Sequence, residues 1–428
     1  MELQDGLHGK AMRRVVAASF AGAMLEWYDF FLFGTASALI FAPLFFPSYD
    51  EITGIIASFA TFGVGFFMRP IGGIVFGHFG DKIGRRVTLI WTLLIVGIST
   101  FIIGLLPTYE QCGIIAPLLL LICRLVQGFG LGGEYGGAAL LTIESAPKNK
   151  RGFLGSIPQA AASVGIMTAT GVFAACNAMF TEEEFMSYGW RIPFLLSAVI
   201  LVIGSYIRIH TEEPHEFKKV KDNSETVKAP IVEVFKKHPK NMLLAIGARL
   251  AETVSSNTIN AFGMVYISSV LLMDKTVPLM GMMVASALGI LACPVFGYIS
   301  DKIGQRAIYL FGAGFCILFA FPFFMLLETQ NTLVIAIALI IGYNFGPTAM
   351  FAVQPTMFSK MFGTNVRYTG LSFAYQFSAI LGGLTPLINS TLLQLNDNSY
   401  KYVAAFFLAI SLIAFISVKL IKPLDSDV

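Results

Sequence analysis

Two carboxylates stand three residues apart in the first long apolar stretch of the chain. They are Glu26 and Asp29, separated by Trp27 and Tyr28. Residues at positions i and i+3 share one face of a helix, and two neighbouring carboxylates resist losing both protons. One member of the pair is therefore suited to carry a proton. The alternative for Glu26 is a solvated position near a membrane surface.

Other ionisable residues also interrupt apolar stretches, where a charge is costly and usually faces a cavity or another charge. Arg124 always keeps its proton, so it needs an anion from the protein or from a ligand. Glu134 lies ten residues after Arg124, in a stretch rich in glycine. It has either a structural role or a functional one. Arg249 and Glu252 are again at i and i+3, and they either neutralise each other or face a ligand.

Polar side chains and prolines mark further candidate positions. Tyr343 and Asn344 precede Pro347 and Pro355 in one apolar stretch, and a proline frees backbone carbonyl groups by interrupting the helix. Interrupted membrane helices often mark binding regions. Three more polar residues in apolar stretches complete the candidate cavity residues: Gln159, Asn257 and Gln376.

Several kinds of chemistry are not supported by the spacing of reactive residues. All five histidines lie in loops or at the ends of apolar stretches, and the five cysteines show no paired spacing, so we expect no metal site. No phosphate-binding Gly-Lys-Ser/Thr motif occurs, which argues against ATP-driven activity. The GxGxxG match at 128–133 lies inside an apolar stretch, where small residues favour close helix packing. No nucleophile–base pair is recognisable, and we do not expect an enzyme.

The composition requires a membrane. The chain has 428 residues, of which 56% are hydrophobic and 13% charged, whereas soluble domains carry about 25% charged residues. The net charge of +3 comes with no basic patch, so a nucleic-acid partner is not expected. Apolar stretches of about 20 residues indicate membrane helices. We predict twelve spans: 15–45, 52–79, 87–106, 114–143, 153–180, 190–209, 241–271, 277–299, 307–327, 332–356, 368–394 and 400–420.

A charged loop occurs twice in the chain. Residues 77–86 read GHFGDKIGRR, and residues 297–306 read GYISDKIGQR. A spacing of about half the chain indicates two similar halves, which we place at 1–209 and 241–428 with a connector at 210–240. Most Lys and Arg residues then fall on the side of the N-terminus, so both termini are predicted to be cytoplasmic. The alternative for each loop is an ordinary positively charged cytoplasmic turn.

The motifs together resemble those of the major facilitator superfamily. Residues 77–86 match its loop signature between the second and third spans, and residues 124–128 match its fourth-span pattern. Four further stretches resemble the narrower metabolite:proton symporter family: 26–30, 69–73, 132–135 and 189–194. Three others look most like those of its shikimate-type carriers: 144–150, 354–358 and 367–370.

The resemblance implies an all-α integral membrane protein with twelve transmembrane helices in two pseudo-symmetric six-helix halves. The halves would rock about a central site. Asp29, with Glu26, would take the proton. Arg124 would balance the charge of Asp29 or bind a substrate carboxylate. The other substrate-binding candidates are Glu134, Gln159, Arg249, Glu252, Asn257, Tyr343, Asn344 and Gln376. The candidates for a conformational latch are Gly77, Asp81, Arg85, Arg86, Asp301 and Arg306.

We therefore expect a secondary active transporter that couples movement of a small organic acid to protons, in a bacterial plasma membrane. We expect protons as the coupling ion, no cofactor, contact with the lipid bilayer and a functional monomer. Three alternatives remain open: a proton-coupled carrier of a zwitterionic osmolyte such as proline or betaine, an uncoupled facilitator or exchanger, and a membrane ligand sensor on a carrier fold.

Overall fold

The structure is a computed structural model that describes residues 2–83, 85–132, 142–143, 146–209, 230–362 and 367–421. Throughout this part of the chain, the regular secondary structure is helical. This follows from the long apolar stretches, because a backbone inside hydrocarbon must satisfy its hydrogen bonds within its own segment.

Each predicted span coincides with a long helix. The helices are α1 (Glu2–Leu39), α2 (Glu51–Ile83), α3 (Arg85–Leu105), α4 (Ile115–Leu131), α5 (Arg151–Met179), α6 (Ile192–Ile209), α7 (Pro239–Asn257), α8 (Thr276–Ile303), α9 (Gln305–Leu327), α10 (Thr332–Ser359), α11 (Arg367–Gln394) and α12 (Lys401–Leu420). Helix α1 begins well before the predicted span, because the polar N-terminal residues continue the same helix. In the fourth predicted span, residues 133–141 lie outside the described residues.

Two of the long helices contain π-helical turns. Helix α7 continues through the turns Thr258–Phe262 and Tyr266–Val270, and α10 contains one at Asn344–Thr348. Such turns re-aim the side chains that follow and often occur at functional sites. In α10 the turn includes Pro347, which has no N–H to donate. The interruption predicted in this span is therefore present.

Eight helices of the described chain are long and apolar enough to cross a membrane, and α3 and α4 contain the shorter apolar segments Ile90–Leu105 and Ile115–Leu131. Helices α1 and α7 are not among the eight. In α7, polar residues such as Arg249 and Glu252 lower the hydropathy, and both are buried in the bundle. This agrees with the rule that ionisable residues at membrane depth face the protein interior.

The two halves meet along two related pairs of helices. Helix α5 packs against α8, and α2 packs against α11. Helices α2 and α8 each carry one copy of the repeated loop, so the internal repeat relates the two pairs. The predicted domain boundaries stay a prediction. The described chain resumes after α6 at the short helix Pro230–Lys237, within the predicted connector.

Helices α5 and α8 touch closely near the second copy of the loop. A Cβ atom at Gly297 would lie 2.6 Å from the carbonyl oxygen of Gly152 and 2.1 Å from Oγ of Ser156. Since real Cβ contacts are not that short, this approach requires glycine at position 297. The interface between the halves is therefore closed at this end.

Candidate functional site

A small cavity lies between the two halves. Its walls come from α1 and α5 of the first half and from α7, α8 and α10 of the second. The lining residues are Trp27, Phe31, Gln159, Ala162, Ser163, Glu252, Ser256, Cys293, Tyr343, Pro347, Thr348 and Phe351. Both halves thus contribute to one enclosed site, as a central site predicts.

One wall of the cavity is aromatic. The Trp27 ring stacks on Phe31 with centroids 5.6 Å apart, and it meets Phe351 of the second half edge-on at 5.4 Å. These contacts hold the indole between the two halves. The wall suits the apolar face of a small ring or an alkyl group.

Other residues of the cavity lining are polar. The hydroxyl groups of Ser163 and Tyr343 lie 3.4 Å apart, so a hydrogen bond joins α5 to α10. Gln159 and Glu252 line the same cavity. Among the sequence-predicted substrate residues, the structure brings Gln159, Glu252 and Tyr343 together at this site.

Arg249 lies beside Glu252 and is held by the second half. Its Nη1 donates to the carbonyl oxygen of Tyr375 at 2.6 Å and to Oγ of Ser378 at 2.9 Å. Its guanidinium carbon lies 3.4 Å from the centroid of the Tyr375 ring. Nε of Arg249 is 3.8 Å from Oε2 of Glu252. Arg249 and Glu252 therefore form an ion pair, and the guanidinium of Arg249 lies outside the cavity lining.

Arg124 lies in the first half and is surrounded by protein groups. Nε donates to the carbonyl oxygen of Phe62 at 3.1 Å, and Nη1 donates to Oε1 of Gln127 at 2.7 Å. Gln127 in turn donates to Thr100 at 2.7 Å. The guanidinium is also 4.5 Å from the ring centroid of Phe33. Arg124 is 1% exposed and does not line the cavity.

The two carboxylates of α1 are buried in the same half. Glu26 and Asp29 are each 7% exposed, so the solvated position considered for Glu26 is not the one observed. Asp29 lies within electrostatic range of Arg124, as does Arg69. Arg69 sits 4.6 Å from the ring centroid of Phe66. Helix α1 thus presents Trp27 to the cavity and Asp29 to a buried cluster of charges.

The other predicted substrate residues lie outside the cavity lining or outside the described chain. Asn257 donates to the carbonyl oxygen of Thr253 at 2.9 Å, within its own helix. Asn344 donates to the carbonyl oxygens of Ala285 and Ile340 at 3.0 and 2.9 Å. Gln376 donates to the carbonyl oxygen of Gly132 at 3.2 Å and so joins the two halves. Glu134 lies outside the described residues.

The second copy of the repeated loop makes a contact between the halves. The carboxylate of Asp301 accepts hydrogen bonds from the backbone N–H groups of Gly152, at 2.7 Å, and Phe153, at 2.9 Å. These groups begin α5, where the positive end of the helix dipole favours an anion. Arg306 donates to the carbonyl oxygen of Lys419 in its own half.

For the first copy of the loop, the surroundings of Gly77 and the side chains of Asp81, Arg85 and Arg86 are outside the described set. At the opposite end of the bundle, Lys275 and Glu182 form an exposed ion pair between the halves at 3.4 Å. Contacts between the halves therefore exist at both ends, and the central cavity is enclosed between them.

Sequence reasoning missed much of the cavity lining. Trp27, Phe31, Ser163 and Phe351 were not predicted, because apolar and small residues look alike whether they face lipid, a core or a cavity. One available signal was that Trp27 lies within the Glu26–Asp29 motif.

Comparisons with known proteins agree with the fold. The family model of the Major Facilitator Superfamily matches residues 19–386. The shikimate transporter of Escherichia coli K12 is 40% identical over 96% of this chain and 94% of its own length. An inner membrane metabolite transport protein of the same organism is 40% identical over 86% of this chain and 85% of its own length.

The crystal structure of a D-xylose-proton symporter superposes with a TM-score of 0.71 at 16% identity, covering 96% of this chain and 98% of that one. This last likeness concerns the fold alone. The bacterial relatives and the apolar helices identify a multi-pass inner-membrane transporter of a small molecule, and the chain belongs to the Major Facilitator Superfamily.

Proposed function

We propose that this protein is a proton-coupled symporter of a small organic acid that works by alternating access. The observation that carries the proposal is the enclosed cavity between the halves, next to a buried carboxylate cluster on the same helix, α1. A substrate site and a proton site on one helix can be coupled by a movement of that helix.

Asp29, assisted by Glu26, takes the coupling proton in this proposal, and no other cofactor is used. Arg124 keeps its charge at all relevant pH values. Protonation of Asp29 therefore changes the net charge of the cluster by one. In a buried site that change has a large electrostatic effect. The contacts of Arg124 with Phe62 and Gln127 favour a role in balancing Asp29 over direct contact with substrate.

The substrate in this proposal is a small carboxylate with a hydroxylated or ring-shaped body. Gln159, Ser163 and Tyr343 offer hydrogen bonds, and Trp27 and Phe351 offer an apolar wall. The relative named as a shikimate transporter makes shikimate the first probe. Asn257, Asn344, Gln376 and Glu134 stay predictions for a wider site in other conformations.

The repeated loops act as latches in this proposal, on the cytoplasmic side with both termini. The bonds of Asp301 to the start of α5 support this role for the second copy. By the internal repeat, the same latch role is assigned to Asp81 in this proposal. Since one chain supplies both halves and the cavity, the functional unit is a monomer.

Uptake of labelled shikimate into proteoliposomes tests the proposal. An inward proton gradient should drive accumulation, and a protonophore should abolish it. Asp29→Asn should lose accumulation while retaining exchange of shikimate across the membrane. Glu328→Gln is the matched control, because Glu328 is an exposed carboxylate at the end of α9.

Other results would identify the alternatives. Uptake that only equilibrates shikimate across the membrane, and that the protonophore does not change, would indicate a facilitator or exchanger. Uptake of proline or glycine betaine in place of shikimate would indicate an osmolyte carrier. Ligand binding without any flux would indicate a sensor.

A further inference from the structure

Among the described residues that line the cavity, Glu252 is the one that carries a charge. It is 6% exposed, and its Oε2 atom has no hydrogen-bond partner among the described residues. A buried carboxylate normally has its oxygen atoms hydrogen-bonded, because leaving them unpaired is costly. The side chain is therefore incompletely satisfied at the position where a substrate would bind.

The neighbouring cation does not complete that pairing. Arg249 Nε lies 3.8 Å from Oε2, beyond hydrogen-bond distance, and it also lacks a hydrogen-bond partner in the described chain. Tyr375 and Ser378 hold the guanidinium in place from α11. Arg249 thus stabilises a charge on Glu252 only partly and does not reach into the cavity.

An ionised Glu252 would oppose an anionic substrate. The two negative charges would lie within one enclosed, low-dielectric site, where like charges repel strongly. A protonated Glu252 would reverse the interaction, since its O–H could donate to the carboxylate of the substrate.

We infer that Glu252 is a second proton site, inside the substrate cavity, and that the carboxylate of the substrate binds against its protonated form. The inference rests on the proposed transport of an organic acid. One proton from the aqueous side adds to Glu252, and one substrate anion then binds. The pair enters the cavity together with no net charge, and both leave when Glu252 releases its proton.

The charged and titratable groups that face Glu252 are few in the described part of the chain. Arg249 lies on the same helix, Tyr343 comes from α10, and Cys293 comes from α8. Tyrosine and cysteine are ordinarily neutral near pH 7, and arginine is ordinarily charged. Glu252 is the one carboxyl group in this set, and its burial without full hydrogen bonding penalises its charged form.

Titration of purified protein with shikimate at several pH values tests the inference. Shikimate is an anion across the neutral range, as carboxylic acids are. Above the pH at which Glu252 loses its proton, the Kd should rise about tenfold for each pH unit. Glu252→Gln keeps a hydrogen-bond donor without a titrating group, so its Kd should lose this tenfold rise for each pH unit.

Two further variants separate the proton sites. Asp29→Asn and the control Glu328→Gln should both retain the pH dependence of binding. A Glu252→Gln variant with the parent slope, together with a flat Asp29→Asn variant, would overturn the inference and leave proton-coupled transport intact. The inference would also be overturned if glycine betaine bound more tightly at high pH and shikimate did not bind at all. An ionised Glu252 would then be pairing with the quaternary ammonium group of glycine betaine.

A measurement without ligand covers the case in which no probe binds or Glu252→Gln does not fold. Infrared difference spectra of the parent protein between acidic and basic pH should contain the C=O band of a protonated carboxyl group. The component of that band that belongs to Glu252 should persist with altered position in Glu252→Asp and be missing in Glu252→Gln, while the components of other carboxyl groups such as Asp29 remain in all three proteins. A band identical in all three proteins would overturn the assignment.

Discussion

Replacing Asp301 by asparagine removes a charged contact that joins the two halves. The carboxylate accepts two backbone N–H groups at the start of α5, at 2.7 and 2.9 Å. Asparagine has one acceptor oxygen, and its NH₂ group would face the other backbone N–H. The variant should therefore lose one hydrogen bond and the interaction of the charge with the helix dipole.

The size of the effect follows from these contacts. A hydrogen bond to a charged group contributes about 1.5–3 kcal/mol, and a charge at a helix end contributes about 0.3–2 kcal/mol. Because Asp301 is only partly buried, solvent screening reduces both contributions. A net loss of about 1.4 kcal/mol shifts a two-state equilibrium about tenfold. The ratio of molecules closed at the Asp301 contact to molecules open there should fall about tenfold, and the protein should still fold.

Cysteine labelling measures this population. Thr356 is 1% exposed, and its hydroxyl donates to the carbonyl oxygen of Arg151 across the same interface. In a background without the native cysteines, a maleimide should modify Thr356→Cys about tenfold faster when Asp301→Asn is present. Shikimate turnover should fall in parallel, while the thermal stability stays close to that of the parent.

A matched control distinguishes this effect from general loss of a helix cap. Asp274 accepts hydrogen bonds from the backbone and side chain of Thr276 at the start of α8, within one half. These bonds lower the pKa of Asp274, so it is ionised at neutral pH. Asp274→Asn should leave the labelling of Thr356→Cys unchanged. Equal labelling of the parent and Asp301→Asn, with normal turnover, would refute the latch argument.

Two other substitutions test different parts of the site. Arg124→Lys should lower stability by about 1–3 kcal/mol, because it leaves the carbonyl of Phe62 and the amide of Gln127 without their partner. The shikimate Kd should change little, and a tenfold weaker Kd with unchanged melting temperature would make Arg124 a substrate ligand. Gly297→Ala should slow turnover by overpacking α5 against α8, at a cost of about 1–3 kcal/mol, whereas Gly314→Ala should not, because its Cβ would meet Phe415 at 3.6 Å. Proteoliposome uptake compares the two, and equal rates would contradict a tight closure at Gly297.

The helices could be predicted from sequence because their signal is one-dimensional. A run of about 20 apolar residues between charged turns specifies a span without any knowledge of its neighbours. The repeat at 77–86 and 297–306 also specified two related halves. The span predicted from residue 15 does not locate the start of α1 at Glu2, since a helix that continues beyond the membrane leaves no change in hydropathy at its first residue.

The site could be predicted only where polarity marked it. Gln159, Glu252 and Tyr343 stood out in apolar stretches and do line the cavity. Trp27 and Phe351 did not stand out, because facing directions depend on how helices from the two halves pack. The sequence also showed the charge of Arg124 but not its partners, which come from α2 and α4.

The two halves contain comparable pairs of charges with different access to the cavity. Arg124 lies within range of Asp29, and Arg249 lies beside Glu252. Since arginine does not release its proton, the charge of each pair can change only at its carboxylate. Glu252 lines the cavity, whereas Asp29 reaches it only through α1, which carries Trp27. Under the two proposals made above, the protonation of Glu252 therefore affects a bound substrate by direct contact, and the protonation of Asp29 affects it through movement of α1. The double variant Asp29→Asn, Glu252→Gln should consequently bind shikimate independently of pH and exchange it without any proton flux.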